Sequence, residues 1–110
     1  MTATEILRIA ADMDTATVNK MAHALGWQTS HVLVGSGTSG DAKMARPYRN
    51  YYSCSADDTQ WTRAQALGLA KNVSEPQSDP SDAVWTVTRL GQAVVRLHLQ
   101  AIVLARKANL

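Results

Sequence analysis

The chain has 110 residues, of which 45% are hydrophobic and 18% are charged, and its formal net charge is +2. The length fits one domain, residues 1–110, and excludes two full ones. The apolar fraction excludes a disordered chain. The eleven basic residues are scattered along the sequence, so charge gives no argument for a dedicated nucleic-acid binder.

The sequence also indicates a compartment. Cys54 is the single cysteine, which excludes an intramolecular disulfide and suits a reducing cytoplasm or a compartment where thiols do not matter. The first residues lack the basic start and apolar core of a signal peptide. No apolar run reaches the roughly 18 residues that a membrane-spanning helix needs. We therefore expect a cytoplasmic protein without a membrane segment.

Two helices are predicted at the start of the chain. Residues 2–12 carry apolar side chains at helical spacing after a threonine cap. Residues 14–26 repeat the pattern, and Gly26 suits the left-handed conformation that often ends a helix. The pair is typical of a helical hairpin.

Residues 28–47 hold three Gly, three Ser, two Thr and one Pro, which predicts a flexible surface loop with at most one short strand. Gly35, Gly37 and Gly40 match the dinucleotide fingerprint G-x-G-x-x-G. A dinucleotide site needs a crossover helix after the glycines, and the six residues before Pro47 cannot supply one. We expect no cofactor; the loop amides and two nearby basic side chains leave open only a loosely held anion.

The second half of the chain predicts a strand, a helix, a hairpin and a last helix. The ranges are 48–55, 57–67, 69–73 paired with 83–87 around an exposed turn 74–82, and 88–107. Helix 57–67 is expected to bury Trp61, Ala64 and Leu67, and all three tryptophans are expected in the core. The fold class is therefore α+β, in the order α-α-β-α-β-β-α, with a long C-terminal helix.

The last helix has two apolar stripes. One stripe is Leu90, Val94, Leu97, Ala101 and Leu104. We expect the rest of the domain to cover that stripe and to leave the second stripe exposed to solvent. A homodimer would bury the second stripe and so remove an exposed apolar patch, with a candidate interface of Val95, Leu99, Ile102 and Arg106. The alternative is that the first helix folds over the second stripe and the chain is monomeric.

No catalytic constellation is visible. Cys54 would need a nearby histidine to act as a nucleophile, and His23, His31 and His98 lie on other predicted elements. Three isolated histidines also lack the paired spacing of a zinc site. We expect Cys54 to be a buried strand thiol, and the protein not to be an enzyme.

The segment ALGLAKN…AVWTVTRLGQAVVR resembles the last part of winged-helix regulators. The resemblance implies a winged-helix-like domain, with a recognition helix at 57–67, a wing at 74–82 and Arg63 as the DNA contact. Asp57 and Asp58 begin that helix, and the wing carries three carboxylates and no basic residue. Phosphate would be repelled there, so DNA binding is the alternative and not the favoured function.

A second resemblance covers residues 22–97, about two thirds of the chain. Its motifs are His23-Ala24-Leu25-Gly26, Tyr48-Arg49-Asn50-Tyr51, Leu67-Gly68-Leu69, and Val87-Thr88 with Gly91. They are similar to a pattern in small phage and prophage proteins with no assigned activity. The resemblance implies a phage or prophage product in the host cytoplasm. We expect it to act by contact with a host or phage protein, as a host-process modulator or small assembly component.

Arg49 and Asn50 are the candidate polar contacts within that shared part, because they interrupt an aromatic strand. The alternative is a local role. Arg49 would then lie on the solvent face or stack on a tyrosine, and Asn50 would make a turn hydrogen bond.

Overall fold

The computed structural model describes residues 2–28, 32–34, 42–44, 47, 49–75 and 79–108. Within them, four α-helices and five strands form a mixed α+β domain with a long C-terminal helix, which confirms the predicted fold class; the predicted order is kept, with two strands added after the second helix. The elements are α1 Ala3–Asp12, α2 Thr15–Leu25, β1 Val32–Val34, β2 Ala42–Met44, β3 Tyr52–Cys54, α3 Thr59–Ala66, β4 Ala70–Asn72, β5 Ala83–Val87 and α4 Arg89–Ala108.

The Gly/Ser-rich stretch contains more structure than expected. β1 and β2 pair antiparallel, with Val32 opposite Met44 and Val34 opposite Ala42. The prediction of at most one short strand was therefore wrong. The apolar run at β1 can pair with β2 because the chain reverses direction within ten residues. The local composition does not reveal this reversal.

Side-chain caps define the helix ends. Thr2 accepts a hydrogen bond from Glu5 N at the start of α1, and Asp14 accepts one from Thr17 N at the start of α2. Gly26 ends α2 with φ of 73°, in the left-handed region that glycine adopts without steric cost. These caps satisfy backbone groups that would otherwise lack partners.

The three-stranded sheet is antiparallel with the order β3-β5-β4. β5 is central, and its Ala83, Trp85 and Val87 alternate inward to the core. β4 is an edge strand beside α3, where Asn72 N donates a hydrogen bond of 2.8 Å to Gln65 Oε1. The alternation of buried and half-buried residues in β5 is what period-2 patterning predicts.

The tryptophans lie in the core as expected. Trp27 is 3% exposed and Trp61 and Trp85 are each 1% exposed. The rings of Trp61 and Trp85 stack with centroids 5.8 Å apart. Leu67 was expected in the core but is 41% exposed; it is the C-cap residue that follows α3, which ends at Ala66.

α4 approaches the sheet edge closely at Gly91. A Cβ at this position would lie 2.0 Å from Leu69 O, so no residue with a side chain fits without a backbone shift. Thr88 Oγ1 accepts a hydrogen bond from Gly91 N and donates one to Gly68 O. The V-T-x-x-G motif therefore caps α4 and seats it on the sheet.

Candidate functional site

α4 is turned so that the predicted interface stripe faces the core. Val95 is fully buried and Leu99 is 3% exposed, so the expectation that they face water was wrong. Ile102 is partly buried and Arg106 is exposed. This orientation follows from the close contact at Gly91. Val95 and Leu99 follow Gly91 by four and eight positions and therefore lie on the same face of the helix.

The other stripe is buried at Val94 and becomes exposed only in its C-terminal half. Leu97 is partly buried, Ala101 is exposed and Leu104 is 38% exposed. α1 packs beside α4 at this stripe and leaves Leu7 56% exposed. The first helix therefore packs against the stripe that the rest of the domain was expected to cover, and not over the second stripe as the alternative had it.

An open groove of about 600 Å³ lies between the two helices, and we call it the α1–α4 groove. Its walls are largely aliphatic, with one aromatic and one amide side chain, His98 and Gln100, on the α4 side. The lining residues are Leu7, Ala10, Ala11, Leu97, His98, Gln100, Ala101, Ile102, Leu104 and Ala105. The sequence interpretation missed Leu7 and Ala11, because they lie off the apolar face that ties α1 to the core.

Every charged residue of α4 is basic, and Arg96 lines an adjoining hollow between α1 and α4, beside Leu7 and Leu97. Arg96 lies over the Trp27 ring, 5.9 Å from its centroid. Arg89 and Arg106 are exposed, and none of the three lines the α1–α4 groove. The groove therefore has a largely apolar lining, with one basic side chain beside it at Leu97.

Arg49 and Asn50 hold the N-terminal helices and the sheet together. Arg49 Nε and Nη2 donate hydrogen bonds of 3.0 and 2.6 Å to His23 O, at the C-terminal end of α2. Asn50 exchanges two hydrogen bonds with the backbone of Val87 on β5. Neither contact is local, so the expected turn bond of Asn50 is replaced by a bond across 37 residues. Both candidates serve internal contacts in this structure.

The predicted recognition helix is charge-balanced. Arg63, the DNA contact of the alternative function, lies 3.7 Å from Asp14 Oδ1, with its side chain 58% exposed. Lys20 Nζ lies 2.6 Å from Asp58 Oδ2. Burial works to raise the pKa of Asp58, but the hydrogen bonds from Lys20 and from Trp61 N hold it below its ordinary value. Arg63 and Lys20 therefore each face a carboxylate.

The turn before β5 is acidic, as the sequence indicates. Its carboxylates Glu75, Asp79 and Asp82 are exposed. Hydrogen bonds from the backbone and hydroxyl of Ser81 lower the pKa of Asp79, so this carboxyl stays ionised. A phosphate backbone would meet negative charge here.

Cys54 is partly buried on β3, and its Sγ lies 3.7 Å from Ser55 O. Burial raises the pKa of the thiol, and the charge of Asp58 adds to this effect. A thiol with a raised pKa is a weak nucleophile at neutral pH. The ring of His23 lies against Tyr52, with centroids 5.6 Å apart, and His98 lies in the α1–α4 groove.

Gly35, Gly37 and Gly40 lie outside the described residues, as does His31. Among the residues that are described, no group of three or more His, Cys, Asp or Glu could hold a metal ion. In that same part of the chain, none of the helices combines the length and the hydropathy needed to cross a bilayer. No family model, curated protein or solved structure matches this chain.

Proposed function

We propose that this protein acts by protein–protein contact and not by catalysis, as a host-process modulator or small assembly component of a phage or prophage in the host cytoplasm. The observation that supports the proposal is the α1–α4 groove. Two of its three leucines, Leu7 and Leu104, are 56% and 38% exposed in a chain of only 110 residues.

The energetic argument concerns apolar area. Full burial of a leucine side chain contributes roughly 1.5–3 kcal/mol relative to exposure. The fractions of Leu7 and Leu104 that remain exposed therefore represent about 1 kcal/mol each that a partner can recover. Contiguous apolar surfaces rimmed by polar groups are typical of interaction sites.

DNA binding is the second candidate, because Arg63 is exposed on a helix that occupies the recognition-helix position of the resemblance. Charge argues against it. Asp14 faces Arg63, Asp58 faces Lys20, and the adjacent turn carries carboxylates. Protein contact through the groove is therefore the better supported function.

Site-specific photo-crosslinking in host cells tests the proposal. A photoreactive side chain replaces Ala11 in the groove, and a matched control replaces Thr62, an exposed residue of α3. We expect the Ala11 probe to give one adduct of discrete mass and the Thr62 probe to give none. The protein in that adduct, once purified, should bind the wild-type chain and fail to bind Leu104→Asp.

Two results would contradict the proposal. If the Ala11 probe gives no protein adduct, the groove does not bind a protein partner and the proposal is contradicted. Adducts of the Thr62 probe with nucleic acid would instead support the regulator.

A further inference from the structure

A hollow of about 520 Å³ lies between α2 and α4, and we call it the α2–α4 hollow. We infer that it binds a small organic monocarboxylate, with the carboxylate at Arg49 and the apolar part against Leu99. The volume lies within the range of small-molecule sites. The hollow shares no described lining residue with the α1–α4 groove, so this second site is independent of the proposed function.

One face of α2 forms the longest wall of the hollow. Asn19, Ala22, His23 and Gly26 follow one another at intervals of three, one and three residues, which places them on the same side of the helix. All four line the hollow, and Leu99 of α4 lies across from them. The wall ends at the glycine, where no side chain fills the space. The hollow is therefore built by regular helices and not by a loop alone.

Arg49 gives the hollow a positive charge in a fixed orientation. Its Nε and Nη2 donate hydrogen bonds of 3.0 and 2.6 Å to His23 O. A carbonyl fixes the guanidinium without cancelling its charge, whereas the carboxylate of Asp14 offsets the charge of Arg63. A guanidinium that is already held in place loses less side-chain entropy on binding, and its planar donors match the geometry of a carboxylate.

The polar side chains of the described lining favour an anion over a cation. Besides Arg49 they are one imidazole and two amides, from His23, Asn19 and Gln28, and none of them is a carboxylate. Imidazole and amide groups can donate hydrogen bonds to an anion. A cationic ligand would meet the guanidinium and no described carboxylate of the lining to compensate it.

The backbone at the end of α2 also argues against a cation. Ala22 O accepts a hydrogen bond of 2.8 Å from Trp27 N, and His23 O accepts one of 3.1 Å from Gly26 N in addition to those from Arg49. These carbonyl oxygens would otherwise attract a cation. Their bonds within the chain leave the guanidinium as the charged group that a ligand meets.

A single carboxylate fits the hollow better than a doubly charged phosphate. The C-terminal end of a helix carries partial negative charge, and one guanidinium cannot offset that charge and two ligand charges together. Trp27 and Leu99, each 3% exposed, add an apolar part to the lining. An apolar surface leaves a second charge without hydrogen bonds but packs well against a carbon skeleton.

Titration of the purified chain with benzoate, followed by ¹H–¹⁵N NMR, tests the inference. Benzamide is the matched control ligand, because it has the same ring and nearly the same shape but no charge. We expect benzoate to shift the amide resonance of Gly26 and the indole resonance of Trp27 with a Kd on the order of millimolar. Benzamide should leave both resonances unchanged at the same concentrations.

Two variants test the part played by Arg49. Arg49→Gln keeps a side-chain donor for His23 O and removes the charge, so benzoate binding should weaken at least about tenfold. Arg63→Gln removes the charge of an exposed arginine outside the hollow and should leave the Kd unchanged. Urea unfolding checks that both variants fold, and the comparison of benzoate with benzamide on the wild-type chain needs neither of them.

Three results would overturn the inference. Benzoate would shift no resonance of the hollow, or benzamide would reproduce its shifts, or Arg63→Gln would weaken binding as much as Arg49→Gln. The last result would show that benzoate responds to the net charge of the chain and not to this hollow. The crosslinking of the Ala11 probe is measured at a different surface, so the proposed function can stand or fail separately.

Discussion

Asn50 and Val87 are joined by two hydrogen bonds between a side-chain amide and a strand backbone. Asn50 Nδ2 donates to Val87 O at 2.9 Å, and Val87 N donates to Asn50 Oδ1 at 2.7 Å. The amide thereby makes the pair of bonds that a neighbouring strand residue would make. It continues the β3–β5 pairing beyond Tyr52, where β3 begins.

We expect Asn50→Ala to destabilise the fold by about 1–3 kcal/mol, because both bonds are lost and partly buried backbone groups lose their partner. Urea unfolding followed by tryptophan fluorescence measures the change. Asn19→Ala, at an exposed position of α2, is the control and should shift the free energy of unfolding by less than about 0.5 kcal/mol. Equal effects of the two substitutions would contradict the role of Asn50.

Gly91→Ala is expected to be more damaging than Gly68→Ala. The added methyl at 91 would lie 2.0 Å from Leu69 O, a backbone atom that can move only with β4. At 68 the methyl has room, and the cost is the positive φ of 78°, about 1–2 kcal/mol. We expect at least about 3 kcal/mol for Gly91→Ala, measured by denaturant unfolding. A smaller loss than at Gly68 would show that α4 does not need this close approach.

The Lys20–Asp58 ion pair predicts an acid-sensitive part of the stability. The pKa of Asp58 in the folded state lies below its ordinary value of 3.8. Its contribution is therefore fully present above about pH 5 and is lost as pH falls through 3.8 toward the lower folded value. Asp58→Asn keeps an N-cap acceptor and removes the charge, so its stability should change less than that of the wild type between pH 5 and 3.

Lys20→Met is a second test of the ion pair in the same pH experiment. It removes the partner that lowers the pKa of Asp58 and should reduce the same acid slope. If both variants keep the wild-type slope in thermal unfolding scans, the ion pair does not contribute to it.

For DNA, we expect no specific binding at physiological salt. Gel-shift experiments against random duplexes and against the sequence upstream of the gene check this expectation. A different result would establish a DNA-binding regulator instead. The chain would bind one sequence with nanomolar affinity, and Arg63→Ala would weaken that binding and lower its salt dependence by about one phosphate contact.

Cys54 should react slowly with thiol reagents in the folded protein. Burial, with the negative charge of Asp58, raises its pKa above the ordinary 9.0. At pH 8 we expect labelling at least about tenfold slower than in urea, and a rate that still increases above pH 9. Because Cys54 is the single cysteine, the absorbance of the released thiolate reports this site alone. Equal rates in both states would contradict its partial burial.

The elements were predictable where local chemistry dictates them. β5 occupies Ala83–Val87 as the alternation of its residues indicates, and α2 ends at the glycine with positive φ. β3 was expected over 48–55 and covers only Tyr52–Cys54. Asn50 replaces strand pairing with a side-chain bond to a residue 37 positions away, which no local pattern reveals.

The orientation of α4 was not predictable from its stripes, because both stripes are apolar and the sequence does not show which one a neighbour covers. Gly91 was the available signal. A glycine inside an otherwise continuous helix indicates a close backbone approach, and here it meets Leu69 O. The face that contains this glycine is therefore the core face, and Leu97, Ala101 and Leu104 are left on the groove side.

The hydrogen bond from Asn72 N to Gln65 Oε1 has a consequence for aggregation. β4 is an edge strand, and unpaired amides on such an edge template the addition of strands from other molecules. Gln65 occupies one of these amides at 2.8 Å, and α3 shields the same edge. The side of the sheet formed by β4 is thereby protected against the addition of strands from other molecules.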